Sequence, residues 1–232
     1  MKKYTNPTKG FTLVELMVTL AVMGIMAAIA FPSMSNFIAN TRLTNRAGQV
    51  ANLFRFAKGE AVRLGVPVVV CGVKVRTDGR PSGVCSSSSV SSGMMAYADN
   101  NKNGMYNKDT DVMLRSVSIN GNDSPEKMTV EVNKCKVDGT GCTTDSIVEY
   151  VFFANGMYGI KKEAITTQTN LVNKVEVAQS FLRIRIKDVQ RTSLAAHNTI
   201  VAPSGAAATC QTGSTSNVAD GFSAIMKTVC DS

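Results

Sequence analysis

Hydrophobic and polar residues form two distinct patterns in the N-terminal part of the chain, and the first pattern is an almost unbroken apolar run. Residues 11–31 are apolar apart from two threonines, a glycine and Glu15, which is their one charge. As a helix with a rise of about 1.5 Å per residue, this segment reaches roughly 30 Å, the thickness of one hydrocarbon layer. The pattern predicts a membrane-length helix over 11–31.

A charged residue such as Glu15 is unusual in an apolar segment of membrane length. A carboxylate at the centre of a bilayer costs about 3 kcal/mol, so the residue needs a compensating partner. The sequence therefore marks Glu15 as a functional residue.

The second pattern follows Pro32, and its apolar residues have helical spacing. Apolar residues recur at steps of three and four: Leu43, Ala47, Val50, Phe54, Ala57, Ala61 and Leu64. Polar residues fill the other positions, so residues 32–65 are predicted to form the amphipathic half of the helix. Gly65 and Pro67 end it.

Short runs rich in β-branched residues fill much of segment 66–232. The predicted strands are 66–71, 94–98, 112–118, 128–132, 147–153, 158–160, 175–186 and 199–201. Asn155-Gly156 predicts a hairpin with a type I′ turn, in which both central residues have positive φ. The fold class is therefore α+β, with a long N-terminal helix packed on a mostly antiparallel sheet.

The sequence around the start of the first helix is specific. Residues 10–18 read Gly-Phe-Thr-Leu-Val-Glu-Leu-Met-Val and closely resemble the type III signal of type IV pilins and type II secretion pseudopilins. The resemblance implies a type IV pilin-like fold and a leader, 1–10, cleaved between Gly10 and Phe11 by prepilin peptidase. It also implies N-methylation of Phe11 and pairing of Glu15 with the new N-terminal ammonium. The alternative is a secreted protein cut near residue 30, after Ala28-Ile29-Ala30.

The second half of the chain resembles the GspH/FimT group of minor pilins and pseudopilins. The resemblance rests on Cys71 at the end of the first strand, the loop 97–106 and a late strand ending near Gly205 and Cys210. It implies a minor pilin of the FimU kind, which associates with other major and minor pilins in a pilus or its tip priming complex. A GspH-like type II secretion pseudopilin and a DNA receptor for natural transformation are the alternatives.

The charge distribution and the cysteine content fit a protein that is anchored in the inner membrane with its C-terminal domain in the periplasm. Lys2, Lys3 and Lys9 would hold the leader on the cytoplasmic side of the inner membrane and leave the C-terminal domain in the periplasm. Removing them lowers the formal net charge of +8 by three. An oxidising periplasm permits disulfides, and several connectivities are open. The simplest pairing joins nearest neighbours: Cys71 with Cys85, Cys135 with Cys142, and Cys210 with Cys230. A zinc site is rejected because no Cys-x-x-Cys occurs.

The loop after residue 98 matches the first half of an EF-hand calcium loop. Asp99, Asn101, Asn103 and the following glycine fit the pattern, but its twelfth position is Thr110 rather than glutamate. Asp109 and Asp111 flank that position and could ligate a cation in another geometry. A polar hairpin explains the loop without an ion, with Asn and Gly in left-handed conformations and Asp99 accepting backbone N–H bonds. No cofactor is therefore expected, and weak calcium binding is the alternative.

Basic residues raise the question of DNA. Arg183, Arg185 and Lys187 alternate on one face of a predicted strand, where they could neutralise phosphates or simply face solvent. The DNA receptors of the group are expected to carry Gly-Arg-x-Arg near the C-terminus, whereas residues 204–210 here read Ser-Gly-Ala-Ala-Ala-Thr-Cys. Direct nucleic-acid binding is therefore not expected.

Catalytic motifs are lacking in the sequence. The one histidine, His197, lies near a predicted strand start, and no phosphate-binding Gly-x-x-x-x-Gly-Lys loop or His-Glu-x-x-His occurs. The sequence predicts a protein that is not an enzyme.

Overall fold

The computed structural model describes residues 10–121, 126–139, 141–146, 148–162, 170–213 and 224–231. Residues 1–9, including the leader lysines, and residue 147 of a predicted strand lie outside them. The chain divides into two units, Met1–Asn40 and Thr41–Ser232.

A single helix, α1 (Leu13–Leu64), accounts for both helical patterns in the sequence. It ends at Gly65, whose N–H donates to the carbonyl of Ala61 and whose φ of 70° is easy only for glycine. The helix is uninterrupted at Pro32. Of the residues that the structure describes, no helix combines the length and the apolar character needed to cross a membrane.

The rest of the second unit is built from short antiparallel strands. In chain order they are β1 (Val68–Val75), β2 (Pro81–Cys85), β3 (Gly93–Ala98), β4 (Val112–Ser118), β5 (Met128–Cys135), β6 (Cys142–Thr144), β7 (Glu149–Phe152), β8 (Tyr158–Lys161), β9 (Val175–Val177), β10 (Phe181–Asp188), β11 (His197–Val201) and β12 (Ala207–Gln211). A C-terminal helix, α2 (Ala224–Asp231), follows them.

These strands form two sheets. The first has the order β4-β3-β1-β7-β8-β9, with β2 also paired to β1, and the second has the order β12-β11-β10-β5-β6. The α+β class with antiparallel pairing is confirmed. The strands divide between two sheets, and the predicted strand 175–186 contributes to both because it is two strands. β9 pairs with β8 in the first sheet, and β10 pairs with β5 and β11 in the second.

One face of α1 joins the two sheets into a single core. The predicted stripe is buried from Leu43 to Ala61, although Leu64 remains 37% exposed. Phe54 packs against Tyr150 and Phe152 of the first sheet, and the same cluster contains Leu182 and Ile184 of the second. One apolar face of α1 therefore packs against both sheets.

The Asn155-Gly156 hairpin forms, but with a different turn. β7 pairs with β8, and Gly156 donates to the carbonyl of Phe153. Gly156 has a φ of 79°, whereas Asn155 does not have positive φ, so the predicted type I′ geometry is wrong. The longer loop needs one left-handed residue, which Gly156 supplies.

Candidate functional sites

The N-terminal signal lies at the exposed start of α1. Gly10, Phe11 and Thr12 precede the helix in non-helical conformation, and Phe11 is 86% exposed. The hydroxyl of Thr12 accepts the backbone N–H of Glu15 at 3.2 Å, and the Thr12 carbonyl accepts the N–H of Leu16. Thr12 thus caps the helix. Glu15 lies in the first turn, where its negative charge interacts favourably with the positive end of the helix dipole.

Over the residues whose side chains the structure describes, 10–28 and 34–40, the first unit exposes an extensive apolar surface. Its exposed large apolar side chains are Phe11, Leu13, Val14, Leu16, Met17, Val18, Leu20, Val22, Met23, Ile25, Met26, Met34, Phe37 and Ile38. Soluble monomers do not leave patches of this extent in water, so the surface requires lipid or protein around it. Glu15 is the one acidic residue in its first turn.

The loop 99–111 of the second unit is organised by two carboxylates. Asp99 is fully buried, and its two oxygens accept the N–H groups of Asn103 (3.1 Å) and Gly104 (2.8 Å). Asp111 accepts the N–H groups of Asn100 and Asn107. Burial raises the pKa of Asp99 above its ordinary value, and the two backbone hydrogen bonds oppose that rise. The loop is thus held by backbone N–H groups on buried carboxylates.

The other candidate calcium ligands are spread along the loop. Asn101 bonds to Asn103 N–H and Thr110 Oγ1, and Asp109 is exposed. Across the described ranges no group of three or more acidic, histidine or cysteine side chains is arranged to hold a metal ion. The left-handed residues are Gly104 and Lys102, with φ of 76° and 56°, so the expectation of left-handed asparagines is wrong.

A buried ion pair lies beneath this loop, and the sequence reasoning missed it. Lys161 of β8 is 1% exposed and pairs with Glu149 on the neighbouring strand β7. Its ammonium also donates to the carbonyl of Gly104 at 2.5 Å, and Tyr97 donates to the same oxygen at 3.1 Å. The pair therefore fastens the loop to the first sheet. Glu149 lies in the predicted strand 147–153 and Lys161 directly follows the predicted strand 158–160, so two charges at opposed positions across the hairpin were the available signal.

The three basic residues of β10 do not form a free cationic face. Arg183 is only 4% exposed and donates to the carbonyl of Val229 in α2 at 3.0 Å and to Asn133 at 3.3 Å. Arg185 donates to Asn198, and Lys187 pairs with Glu131 at 2.8 Å. The expectation that all three could face solvent or phosphates is wrong for Arg183, because α2 covers it.

The segment after residue 210 forms this cover. α2 packs on β10, β11 and β12, and Asn198 donates to Thr212 Oγ1 and to the carbonyl of Cys230. Val229 and Cys230 share an apolar cluster with Phe181 and Ile200 of the sheet. The outer face of the second sheet is therefore partly closed by the C-terminal helix.

Residues 204–210, which stand where the DNA receptors of the group are expected to carry Gly-Arg-x-Arg, form part of the turn between β11 and β12 and the start of β12. α1 holds it, since Lys58 donates to the carbonyl of Ser204 and Arg55 to that of Ala207. Gly205 has a φ of 76°, and a Cβ there would lie 2.9 Å from the ring of Phe152. This turn is thus packed between α1 and the first sheet.

All six cysteines are paired in the structure. The bridges are Cys71–Cys85, Cys135–Cys142 and Cys210–Cys230, the nearest-neighbour pairs. The first joins β1 to β2, the second joins β5 to β6, and the third joins β12 to α2.

His197 belongs to the interface between α1 and the second sheet. Its Nδ1 lies 3.4 Å from the hydroxyl of Thr44, and burial lowers the pKa of the imidazole below its ordinary value of 6.5. Its surroundings are those of a packed side chain.

A methylation-type N-terminus, an exposed apolar helix and a disulfide-bonded antiparallel domain together define a pilin-like protein. Residues 5–31 match the prokaryotic N-terminal methylation motif, and residues 46–172 match type II transport protein GspH. Because the second match covers more than half of the chain, the chain belongs to the GspH family.

Curated relatives are similar over shorter stretches. The chain is 46% identical over 46 residues to the type IV major alpha-pilin of Moraxella bovis, covering 20% of this chain and 29% of that protein. It is 41% identical over 61 residues to a fimbrial protein of Pseudomonas aeruginosa, covering 26% and 39% respectively. The chain thus spans well under half the length of these relatives. A crystal structure of the type IV minor pilin FimU of Pseudomonas aeruginosa aligns with 74% of this chain and 90% of that chain, at 12% identity and a TM-score of 0.41.

Proposed function

We propose that this chain is a minor pilin that is processed by prepilin peptidase and incorporated into a type IV pilus or its tip priming complex. The observation that carries the proposal is the exposed apolar surface of the first unit, which directly follows a methylation motif and holds Glu15 in its first turn. Neighbouring pilin helices would cover that surface.

Processing would use the exposed junction at the start of the chain. The bond between Gly10 and Phe11 lies ahead of the capped helix, so its backbone is accessible to a peptidase without unwinding α1. Hydrolysis there removes the basic leader and leaves Phe11 as the new N-terminus, which is then N-methylated. The helix cap at Thr12 remains after cleavage.

Glu15 would then act as the docking residue. The new ammonium of Phe11 adds positive charge to an end of the helix that is already positive, and a carboxylate one turn away compensates it. Inside a bundle of apolar helices, an unpaired carboxylate is costly, so only the register that pairs Glu15 with an ammonium is favourable. Lateral apolar packing would supply affinity, and Glu15 would supply register.

Before assembly, we place the protein in the bacterial inner membrane, with the second unit in the periplasm. The methylation motif implies membrane anchoring, and the basic leader sets the orientation. The three disulfides suit an oxidising compartment. This storage state delivers processed subunits to the growing filament, which carries them outside the cell.

Substitution of Glu15 tests the mechanism. Glu15→Ala and the isosteric Glu15→Gln should leave the protein membrane-bound and processed but strongly reduce its recovery in sheared, purified pili. Glu126→Gln, an exposed carboxylate of the second unit, serves as the control and should be recovered normally. Normal recovery of Glu15→Gln in pili would contradict the docking role.

A type II secretion pseudopilin is the second candidate, and the family match over residues 46–172 favours it. Such a protein would use the same N-terminal signal to build a short filament that helps move folded proteins out of the cell. Deletion of the gene separates the two functions. Loss of pili and twitching selects the minor pilin, whereas loss of secretion with normal pili selects the pseudopilin.

A further inference from the structure

A cavity of about 540 Å³ opens beside the loop 99–111, between that loop, β2 and the start of β4. Its apolar lining includes Val84, Met105, Tyr106 and Met113. Tyr106 makes an edge-to-face contact with Tyr97, at 5.1 Å between ring centroids. The size falls in the range of small-molecule binding sites, which combine an apolar lining with a few placed polar groups.

The polar side chains of this cavity are mostly hydrogen-bond donors. Asn103 and Asn107 line it, and each uses its Oδ1 to accept a backbone N–H, from Met105 at 2.8 Å and from Asp109 at 3.0 Å. Each Nδ2 group makes no hydrogen bond to the part of the chain that the structure describes. Lys108 adds an exposed ammonium, and none of the described residues that line the cavity is an aspartate or a glutamate. A ligand must therefore supply acceptors and negative charge.

The two amide donors, unlike Lys108, are held in place before any ligand arrives. Asp99 and Asp111 bind four backbone N–H groups of the loop, and Lys161 holds the carbonyl of Gly104 from below. The two asparagine side chains are fixed by their own local hydrogen bonds. Because ordering costs are already met in the free protein, weak individual contacts can yield measurable binding.

We propose that this cavity binds a hexuronic acid unit of an acidic polysaccharide. The sugar carboxylate accepts hydrogen bonds from Lys108 and the amide groups of Asn103 and Asn107. The C–H face of the sugar ring lies on the apolar side, where Tyr106 offers an aromatic surface. Ser82, whose hydroxyl both donates and accepts, serves a ring hydroxyl. The inference does not depend on the chain being part of a filament.

Saturation-transfer NMR on the full processed chain, in a sugar-free zwitterionic detergent, tests the proposal with sodium glucuronate as the probe. Glucuronate should show saturation transfer and bind about tenfold more tightly than glucose or acetate, because only glucuronate offers both the carboxylate and the ring. Equal binding of acetate and glucuronate would overturn the saccharide assignment. Equal or tighter binding of triglutamate would assign the cavity to acidic peptides instead and would also overturn it.

Two variants locate the site. Asn107→Asp keeps the oxygen that accepts Asp109 N–H but replaces the donor amide with a carboxylate, and Lys108→Met removes the cation. Each should weaken glucuronate binding about tenfold with no change in thermal midpoint. Lys227→Met, at an exposed lysine of α2 outside the cavity, should bind as the parent does. Unchanged binding by both cavity variants would refute the site.

Discussion

The helix α1 carries apolar side chains along its whole length, but the two units of the chain treat them differently. Up to Asn40, large apolar residues such as Leu20 and Phe37 are exposed, whereas from Thr41 onward residues such as Leu43 and Phe54 are fully buried. In the second unit the fold itself supplies the partner surface. In the first unit a covering surface must come from outside the chain. The second unit therefore carries the stability of the fold, and the first is the unit that the proposed assembly would use.

The largest expected effect is on the free energy of unfolding, and it should differ between one apolar residue of the second unit and one of the first. Phe54→Ala removes a buried ring that contacts Tyr150 and Phe152 and should lower the free energy of unfolding by about 3–5 kcal/mol. Leu20→Ala should leave it within about 0.5 kcal/mol and instead reduce incorporation into pili. Chemical denaturation followed by tyrosine circular dichroism measures the first effect, since the chain has no tryptophan. A large stability loss in Leu20→Ala would break the contrast.

A second prediction concerns the buried ion pair. Lys161→Met strands the Glu149 carboxylate in the interior and should destabilise the second unit by about 3 kcal/mol. The double variant Lys161→Met with Glu149→Leu removes both charges and should recover most of that loss. Lys162→Met, the exposed neighbour, is the matched control. A double variant as unstable as the single one would show that packing, rather than charge, explains the effect.

The third prediction addresses α2. Replacing Cys210 and Cys230 together by serine should cost about 2–4 kcal/mol and raise amide exchange in α2 before the rest of the second sheet. The hydrogen bonds from Arg183 to the carbonyl of Val229 and from Asn198 to that of Cys230 would then still hold α2 on the sheet. Hydrogen exchange with mass spectrometry reads this out by segment. Uniform exchange across both sheets would instead place α2 inside the global folding unit.

The smallest expected effect is a pH dependence. Burial lowers the pKa of His197 in the folded state, so the unfolded chain binds a proton more readily near pH 6. The stability linked to His197 is therefore present above pH 6.5 and is lost as the pH falls through the ordinary value and then the folded value. His197→Gln should flatten this part of the stability curve between pH 7.5 and pH 5. An unchanged slope in the variant would assign the dependence to other groups.

Periodicity predicted the long helix α1 and the strands whose patterns are strong, whereas α2 was not predicted. The stripe from Leu43 to Ala61 and the strand Val112–Ser118 lie where the sequence placed them. β12 was missed because its alanine-rich sequence lacks the β-branched side chains typical of strands. The split at residues 178–180 was missed because no glycine or proline marks it, although the chain passes there from one sheet to the other.

The candidate sites show a similar division. The N-terminal signal is local in sequence, since the whole of the matched motif lies within residues 5–31. Arg183 was misread because alternation assigns a side chain to a face of a strand but does not reveal what covers that face. The burial of the Glu149–Lys161 pair and the cavity beside Tyr106 depend on a loop folding over a sheet, which no local pattern encodes.

Each disulfide joins two cysteines that are consecutive along the chain, with separations of 14, 7 and 20 residues. An oxidase that meets this polypeptide as it emerges in order, first residues first, would therefore make only native bridges by joining each new thiol to the one before it. Folding in the export compartment would then need a thiol oxidant but no isomerase to reshuffle mistakes.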